Sequence, residues 1–158
     1  MRIYAQAVYE TFSDNALRFL VPTFIASQEL TKLAKRLRMY GYDTLIYTSI
    51  GRGPFIVQAL GQNRIMLTRK RLIPQGLEHM TLVIQHETLS QQLAEVFFRF
   101  KLTPKPQDIG TRCTICNERL EKVDKLDHKE LIPARAFDNY CCFAKCARCN
   151  KIYWPGTH

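Results

Sequence analysis

Along the first hundred positions, short apolar runs alternate with stretches whose apolar residues return every third or fourth position. Phe19-Leu-Val and Thr23-Phe-Ile-Ala26, separated by Pro22, predict a buried strand entered through a kink and ending at Ser27. From Gln28 to Tyr40, Leu30, Leu33, Ala34 and Leu37 share one helical face and Lys32, Lys35 and Arg36 the other, with Ser27 as N-cap and Gly41 as the stop. Asp43-Thr-Leu-Ile-Tyr-Thr48, Arg64-Ile-Met-Leu-Thr68 and Thr81-Leu-Val-Ile-Gln85 predict further strands. Pro54 to Leu60 reads as a short helix, and Leu89 to Phe100 as one that buries Leu93, Val96, Phe97 and Phe100. Strands and helices alternating at this spacing imply an α/β fold, a largely parallel sheet covered on both sides. The carboxyl ends of such strands are where ligands bind. Here they are Ser27, the 49–53 loop, Arg69-Lys70-Arg71 and His86-Glu87.

Two further segments flank that unit. Residues 1–17 carry aromatics and an alternation over Ile3 to Val8, which predicts an extra strand or an ordered arm. Pro104, Pro106 and Gly110 interrupt regular structure after Phe100, which divides the chain into 18–103 and a smaller unit at 104–158. The smaller unit holds two Cys-x-x-Cys knuckles, Cys113/Cys116 and Cys146/Cys149, separated by enough chain for a β-hairpin. Four thiolates at this spacing specify a closed tetrahedral site, and zinc is its expected occupant. Such a site staples a module too short to bury much core, with no open position for catalysis. Cys141 and Cys142 read as small buried hydrophobes on a strand; Cys142, His128 and His158 are the alternative ligands.

Composition narrows the class. The chain is 46% hydrophobic, with no apolar run long enough to span a membrane. No secretory signal stands at Met1 and no cysteine precedes Cys113, so a reducing, cytoplasmic setting is expected. The net charge of +9 is shared by both units, with 12 basic and 7 acidic residues up to position 100 and 11 and 7 beyond it. That balance favours a polyanionic partner, and nucleic acid is the commonest. Arg52 with Arg69, Lys70 and Arg71 is the candidate phosphate patch in the larger unit. In the smaller unit Arg112, Arg148 and Lys151, with Trp154 for stacking, are the candidates. The alternative reading of Trp154 is as core of the small module.

Several phrases carry a resemblance. Ser27-Gln-Glu-Leu-Thr-Lys-Leu-Ala-Lys-Arg-Leu-Arg-Met-Tyr-Gly-Tyr-Asp-Thr44, Asn63-Arg-Ile-Met-Leu-Thr-Arg69, Gln92-Leu93, Arg112-Cys-Thr-Ile-Cys-Asn117 and Lys151-Ile-Tyr-Trp-Pro-Gly-Thr-His158 resemble, in that order, the Mut-seven C-terminal ribonuclease-domain family. The resemblance covers about residues 18–158 and implies a PIN-like nuclease domain followed by a zinc ribbon. It also implies divalent ions held on carboxylates, which position a water for attack on phosphate. The family's acidic positions are occupied here by Ser27, Gly53 in Gly51-Arg-Gly-Pro54, and Lys70 in Leu67-Thr-Arg-Lys70. Lys70 and Arg52 would repel Mg²⁺ while attracting phosphate, and Glu87 is the one acid left at a strand's carboxyl end.

The expectation is an RNA-binding protein with a degenerate nuclease centre, in effect a pseudoenzyme. Two alternatives stay open. One is an active ribonuclease with a rearranged centre that uses Glu87 and Mg²⁺ or Mn²⁺. The other is an adaptor subunit that contacts protein in a ribonucleoprotein or protein complex.

Overall fold

Alternation in Phe24-Ile25-Ala26 decides which side of the sheet each helix covers. In the computed structural model, which describes residues 21–155 apart from Ile50, Leu72 and Pro74, these residues form β1 (Phe24–Ser27) at the centre of a four-stranded sheet. β1 pairs in parallel with β2 (Thr44–Tyr47) on one side and with β3 (Ile65–Thr68) on the other, and β4 (Thr81–Val83) lies beyond β3, also parallel. Phe24, Ala26 and Leu67 point to one face, where they meet Leu33 and Leu37 of α1 (Thr31–Met39) and Val96 of α3 (Leu89–Arg99). Ile25 and Met66 point to the other, against Phe55 and Ala59 of α2 (Arg52–Gly61). Each large apolar side chain removed from water contributes about 1.5–3 kcal/mol, so a one-residue slip of β1 would exchange both cores at once. The predicted arm over residues 1–17, and His158, fall outside the described residues.

Element ends differ from expectation for local reasons. The first turn after β1 is a 3-10 turn over Gln28–Leu30, and α1 proper begins at Thr31. α2 starts at Arg52, not Pro54, because amide N–H groups in a helix's first turn have no intrahelical acceptor and the missing N–H of Pro54 costs nothing there. β4 stops at Val83 because the Ile84 N–H closes the ladder on the Thr68 carbonyl and the Gln85 N–H turns to the Glu95 carboxylate at 3.2 Å. α3 opens on Thr88, whose side chain accepts from the Gln91 N–H. It buries Gln92 as well as Val96, and the Gln92 amide donates to the His86 and Glu87 carbonyls.

The smaller unit is an antiparallel sheet of β5 (Leu120–Val123), β6 (Phe143–Cys146) and β7 (Ile152–Tyr153). A helix the sequence pattern does not announce, α4 (Ala134–Asn139), sits between β5 and β6 and packs Ala136 with Ile132, Phe143 and Ile152. Because α4 runs to Asn139 and pairing begins only at Phe143, Cys141 and Cys142 are not on the strand. Both are exposed, which corrects their reading as buried hydrophobes.

The two units meet at a polar seam built on Asp43, the residue before β2. Its carboxylate takes Arg64 at 2.5 Å, the Asn117 amide at 2.9 Å and Arg112 at 3.4 Å. Asn117 also accepts from the N–H of buried Thr44 at 3.0 Å. Arg38, only 3% exposed, donates to the Thr44 carbonyl at 2.7 Å and to the Thr114 and Ile115 carbonyls at 3.0 and 2.7 Å. Gly41 stands at φ +90°, and a Cβ there would come within 2.6 Å of the Asp108 carbonyl oxygen, so only glycine admits the connecting segment.

Burial alone would raise the Asp43 pKa, but hydrogen bonds from Arg64 and Asn117 with the charges of Arg64 and Arg112 overcome it, and the group is held below 3.8. Its contribution is therefore complete above the unfolded value and disappears as pH falls through the lower folded one. Asp43→Ala leaves two arginines without their carboxylate, and the expected loss is about 2–3 kcal/mol in urea unfolding at neutral pH. The difference between wild type and variant is expected to shrink as pH falls below about 4, where the carboxylate of the unfolded chain begins to protonate, and to vanish below the lower folded value.

Candidate nucleic-acid cleft and metal centre

A cavity of about 250 Å³ opens at the carboxyl ends of β1, β2 and β3, on the face covered by α2. Tyr47, Phe55, Ile56 and Met66 form its apolar floor. Ser27, Glu29, Arg52, Thr68 and Lys70 stand at its polar side. Ser27 ends β1 and its hydroxyl donates to the Leu67 carbonyl at 3.3 Å. Arg52 is the first residue of α2, after Gly51 turns the chain at φ +109°. Lys70 leaves β3 with its N–H on the Thr68 hydroxyl at 3.1 Å. Sequence positions 27, 52 and 70 thus converge because parallel strands end together. Gly53 points to open space on the first turn of α2 and does not line the cavity.

Carboxylates are scarce here. Glu29 is the single one lining the cavity among the described residues. Glu87 is elsewhere, exposed and paired with Arg69, whose other guanidinium nitrogen donates to the His86 carbonyl at 2.8 Å. Arg69 is therefore turned toward the segment that follows β4. Arg71 is exposed and outside the cavity lining.

In the smaller unit the candidate cations divide. Arg112 spends all three guanidinium nitrogens on the seam, toward Gly41, Asn117 and Asp43. Arg148 is exposed, with Glu118 at 3.7 Å, and the Lys151 ammonium lies 5.7 Å from the Tyr153 ring centroid. Trp154 is half-buried in the small core, 6.3 Å from Phe143.

The sulfurs of Cys113, Cys116, Cys146 and Cys149 all lie within 4.8 Å of one another, with three pairs at 3.3–3.6 Å. Metal–sulfur bonds of about 2.3 Å in a tetrahedron would separate sulfurs by about 3.8 Å, so the donor set fits an ion such as zinc. Asn117 and Asn150, each one residue past its knuckle, have φ of +70° and +58°, and their N–H groups return to the Cys113 and Cys146 carbonyls. That left-handed turn closes each loop, and asparagine tolerates it well.

A family model described as the Mut7-C RNAse domain matches residues 22–158. The chain belongs to the Mut7-C RNase domain family. Its function is accordingly nuclease-like and RNA-related in kind. No match appears among curated proteins. Among the described residues no helix is long and apolar enough to cross a membrane.

Within this Mut7-C chain the four-cysteine cluster has an outer layer that spacing alone did not reveal. The Tyr153 hydroxyl lies 3.1 Å from the Cys113 sulfur and accepts from the Thr114 N–H at 3.2 Å. Burial would raise the Cys113 thiol, but hydrogen bonds from the Cys116 backbone, Tyr153 and Cys116 Sγ outweigh it and bring the thiol down to about 6. Burial and neighbouring sulfurs push Cys116 up to about 12. A dication is what would let all four sulfurs ionise together. Arg38, which donates to the Thr44 and Thr114 carbonyls, ties this cluster to β2. The sequence signal for Tyr153 was its place three residues after Asn150; Arg38 had none beyond its place on a helix.

In protein loaded with zinc in vitro, Tyr153→Phe, which removes a hydrogen bond to a candidate ligand sulfur, is expected to weaken retention of the ion about 10-fold in competition with a chromogenic chelator. Retention should also fall as pH drops toward 5, because each thiolate must be reprotonated as the ion leaves.

Proposed function

We propose that this protein binds RNA through a degenerate nuclease centre, and that the four cysteines hold a structural zinc ion. The observation that carries the reading is the charge of the cavity: Arg52 and Lys70 stand where the strands end, with Glu29 the sole carboxylate lining it among the described residues. Hydrolysis assisted by Mg²⁺ or Mn²⁺ requires several hard oxygen ligands on a divalent ion. Ser27 and Lys70 supply none that is anionic, and Glu87 is engaged by Arg69 outside the cavity. Two cations over an apolar floor instead attract a phosphate and cannot share their place with a dication.

Arg52, Lys70 and exposed Arg71 are the phosphate contacts on the larger unit in this reading, and Arg148 and Lys151 extend the surface on the ribbon. Arg69 supports the β4 end through Glu87 and His86, and Arg112 is assigned to the seam. Trp154 keeps the ribbon core closed and presents only its exposed edge to RNA.

The test is single-stranded RNA binding by the full chain across a salt series. Replacing Arg52 and Lys70 together by alanine should weaken binding at least about 10-fold and reduce the slope of log K against log salt by about 1.4. No cleavage above background should appear with Mg²⁺ or Mn²⁺. RNA cutting that needs added metal and is lost in Glu29→Gln or Glu87→Gln would overturn the reading. Unchanged RNA binding in the double variant would place the RNA on another surface and overturn the reading of this cavity, and the absence of salt-dependent RNA binding by the intact chain would favour the adaptor.

A further inference from the structure

A helix that covers one face of a sheet normally turns apolar residues inward and charged ones outward. α1 does so, with Lys32 and Lys35 exposed over buried Leu33, Ala34 and Leu37. α2 does not. After Arg52 it contains no charged residue, and Gly53, Pro54, Val57, Leu60 and Gly61 are all exposed. Their spacing of three and four gathers them into one stripe, opposite the side on which Phe55 and Ala59 are buried. Val57 is 70% and Leu60 46% exposed, so this stripe presents large apolar side chains to solvent. A helix that is apolar on every side is one that packs on both of its faces.

The chain enters the fold beside the last turn of α2. Val21, 64% exposed, leads through Pro22 to Thr23, whose carbonyl accepts from the Ile65 N–H at 2.9 Å and whose hydroxyl lies 3.5 Å from the Asn63 carbonyl. The Arg64 N–H in turn reaches the Ala59 carbonyl at 2.9 Å. Twenty residues precede Val21, and twelve of them are hydrophobic, with two basic and two acidic. Within them Tyr9, Phe12, Ala16 and Phe19 recur at helical spacing, and Pro22 disfavours helix at Val21, so the run stops by Leu20.

We propose that residues 9–20 of the same chain pack along the outer face of α2, with Phe19 against Leu60, Ala16 against Val57 and Phe12 over Gly53. Length agrees, since twelve residues span about 18 Å as a helix and the ten of α2 about 15 Å. Shape agrees too: Gly53 and Gly61 have open space where a Cβ would stand, which leaves room for phenyl rings. So does charge, because the segment is neutral and the face uncharged, while a polyanion would find no cation on it beyond Arg52.

The experiment is a nuclear Overhauser measurement on the full chain with labelled Val and Leu methyl groups, repeated with labelled and unlabelled chains mixed. Contacts from the Val57 and Leu60 methyls to the Phe12 and Phe19 rings are expected within one chain. Trypsin cleavage after Arg18 is the second readout. Val57→Glu with Leu60→Glu, at positions already exposed, should speed that cleavage about 10-fold or more. Phe12→Ser, which leaves α2 untouched, should do the same and remove the methyl contacts. Contacts found only between chains would make the occupant a second copy and overturn the proposal. Methyls with no contact to residues 9–20, or cleavage indifferent to both sets of substitutions, would overturn it as well.

Discussion

The carboxylate of Asp43 is the point on which the two halves of this molecule turn. It stands just before an edge strand of the parallel sheet and binds one arginine from its own unit and one arginine and one asparagine from the other. Asn117 repeats the tie by accepting from the backbone of Thr44, and Arg38 carries it on to the carbonyls inside the first knuckle. The metal loop is thus held against β2 by charge-assisted hydrogen bonds, which are stronger and more directional than neutral ones. An ion in the four-cysteine site would order the same loop that Asp43 and Arg38 grip. Metal binding and sheet stability should therefore be coupled through Asn117 and Arg38.

That arrangement separates structural from functional charge. Arg38, Arg64 and Arg112 are buried or nearly so and spent on the seam. Arg52, Lys70, Arg71, Arg148 and Lys151 remain on surfaces where a polyanion can reach them. Net positive charge alone could not have made that division. The cavity at the strand ends inherits its position from the parallel sheet and its sign from two residues, and the family's nuclease chemistry depends on the sign. With lysine and arginine in place and one carboxylate at the lining, the site is proposed to hold phosphate in place of the ion that would cut beside it.

Much of this was legible in order along the chain. The switch from period two to period 3.6 located β1, α1 and α3, and the knuckle spacing located the four cysteines, because both signals are local. The cavity's place was legible in part: parallel strands end on one side and bring positions 27, 52 and 70 together, while Gly53, Arg69, Arg71 and Glu87, expected at the same end, do not line it. The seam was not, because Asp43 to Asn117 and Arg38 to Ile115 join residues more than seventy positions apart and have no periodic signature. Asp43 looked idle at the wrong end of its strand for catalysis, which is the end where the ribbon docks. α4 and the exposure of Cys141 and Cys142 escaped for a similar reason: a six-residue helix gives too few turns for a pattern, and it moved the start of β6 past both cysteines.

The central claim is that the cavity attracts anions and excludes divalent cations. Paramagnetic Mn²⁺ added to the zinc-loaded, isotopically labelled chain reads this directly through line broadening at the amides of Ser27, Glu29, Thr68 and Lys70. The account predicts that these signals stay sharp with Mn²⁺ and shift with a short RNA oligonucleotide. Selective broadening of the same amides at low Mn²⁺, relieved by Mg²⁺, would contradict it.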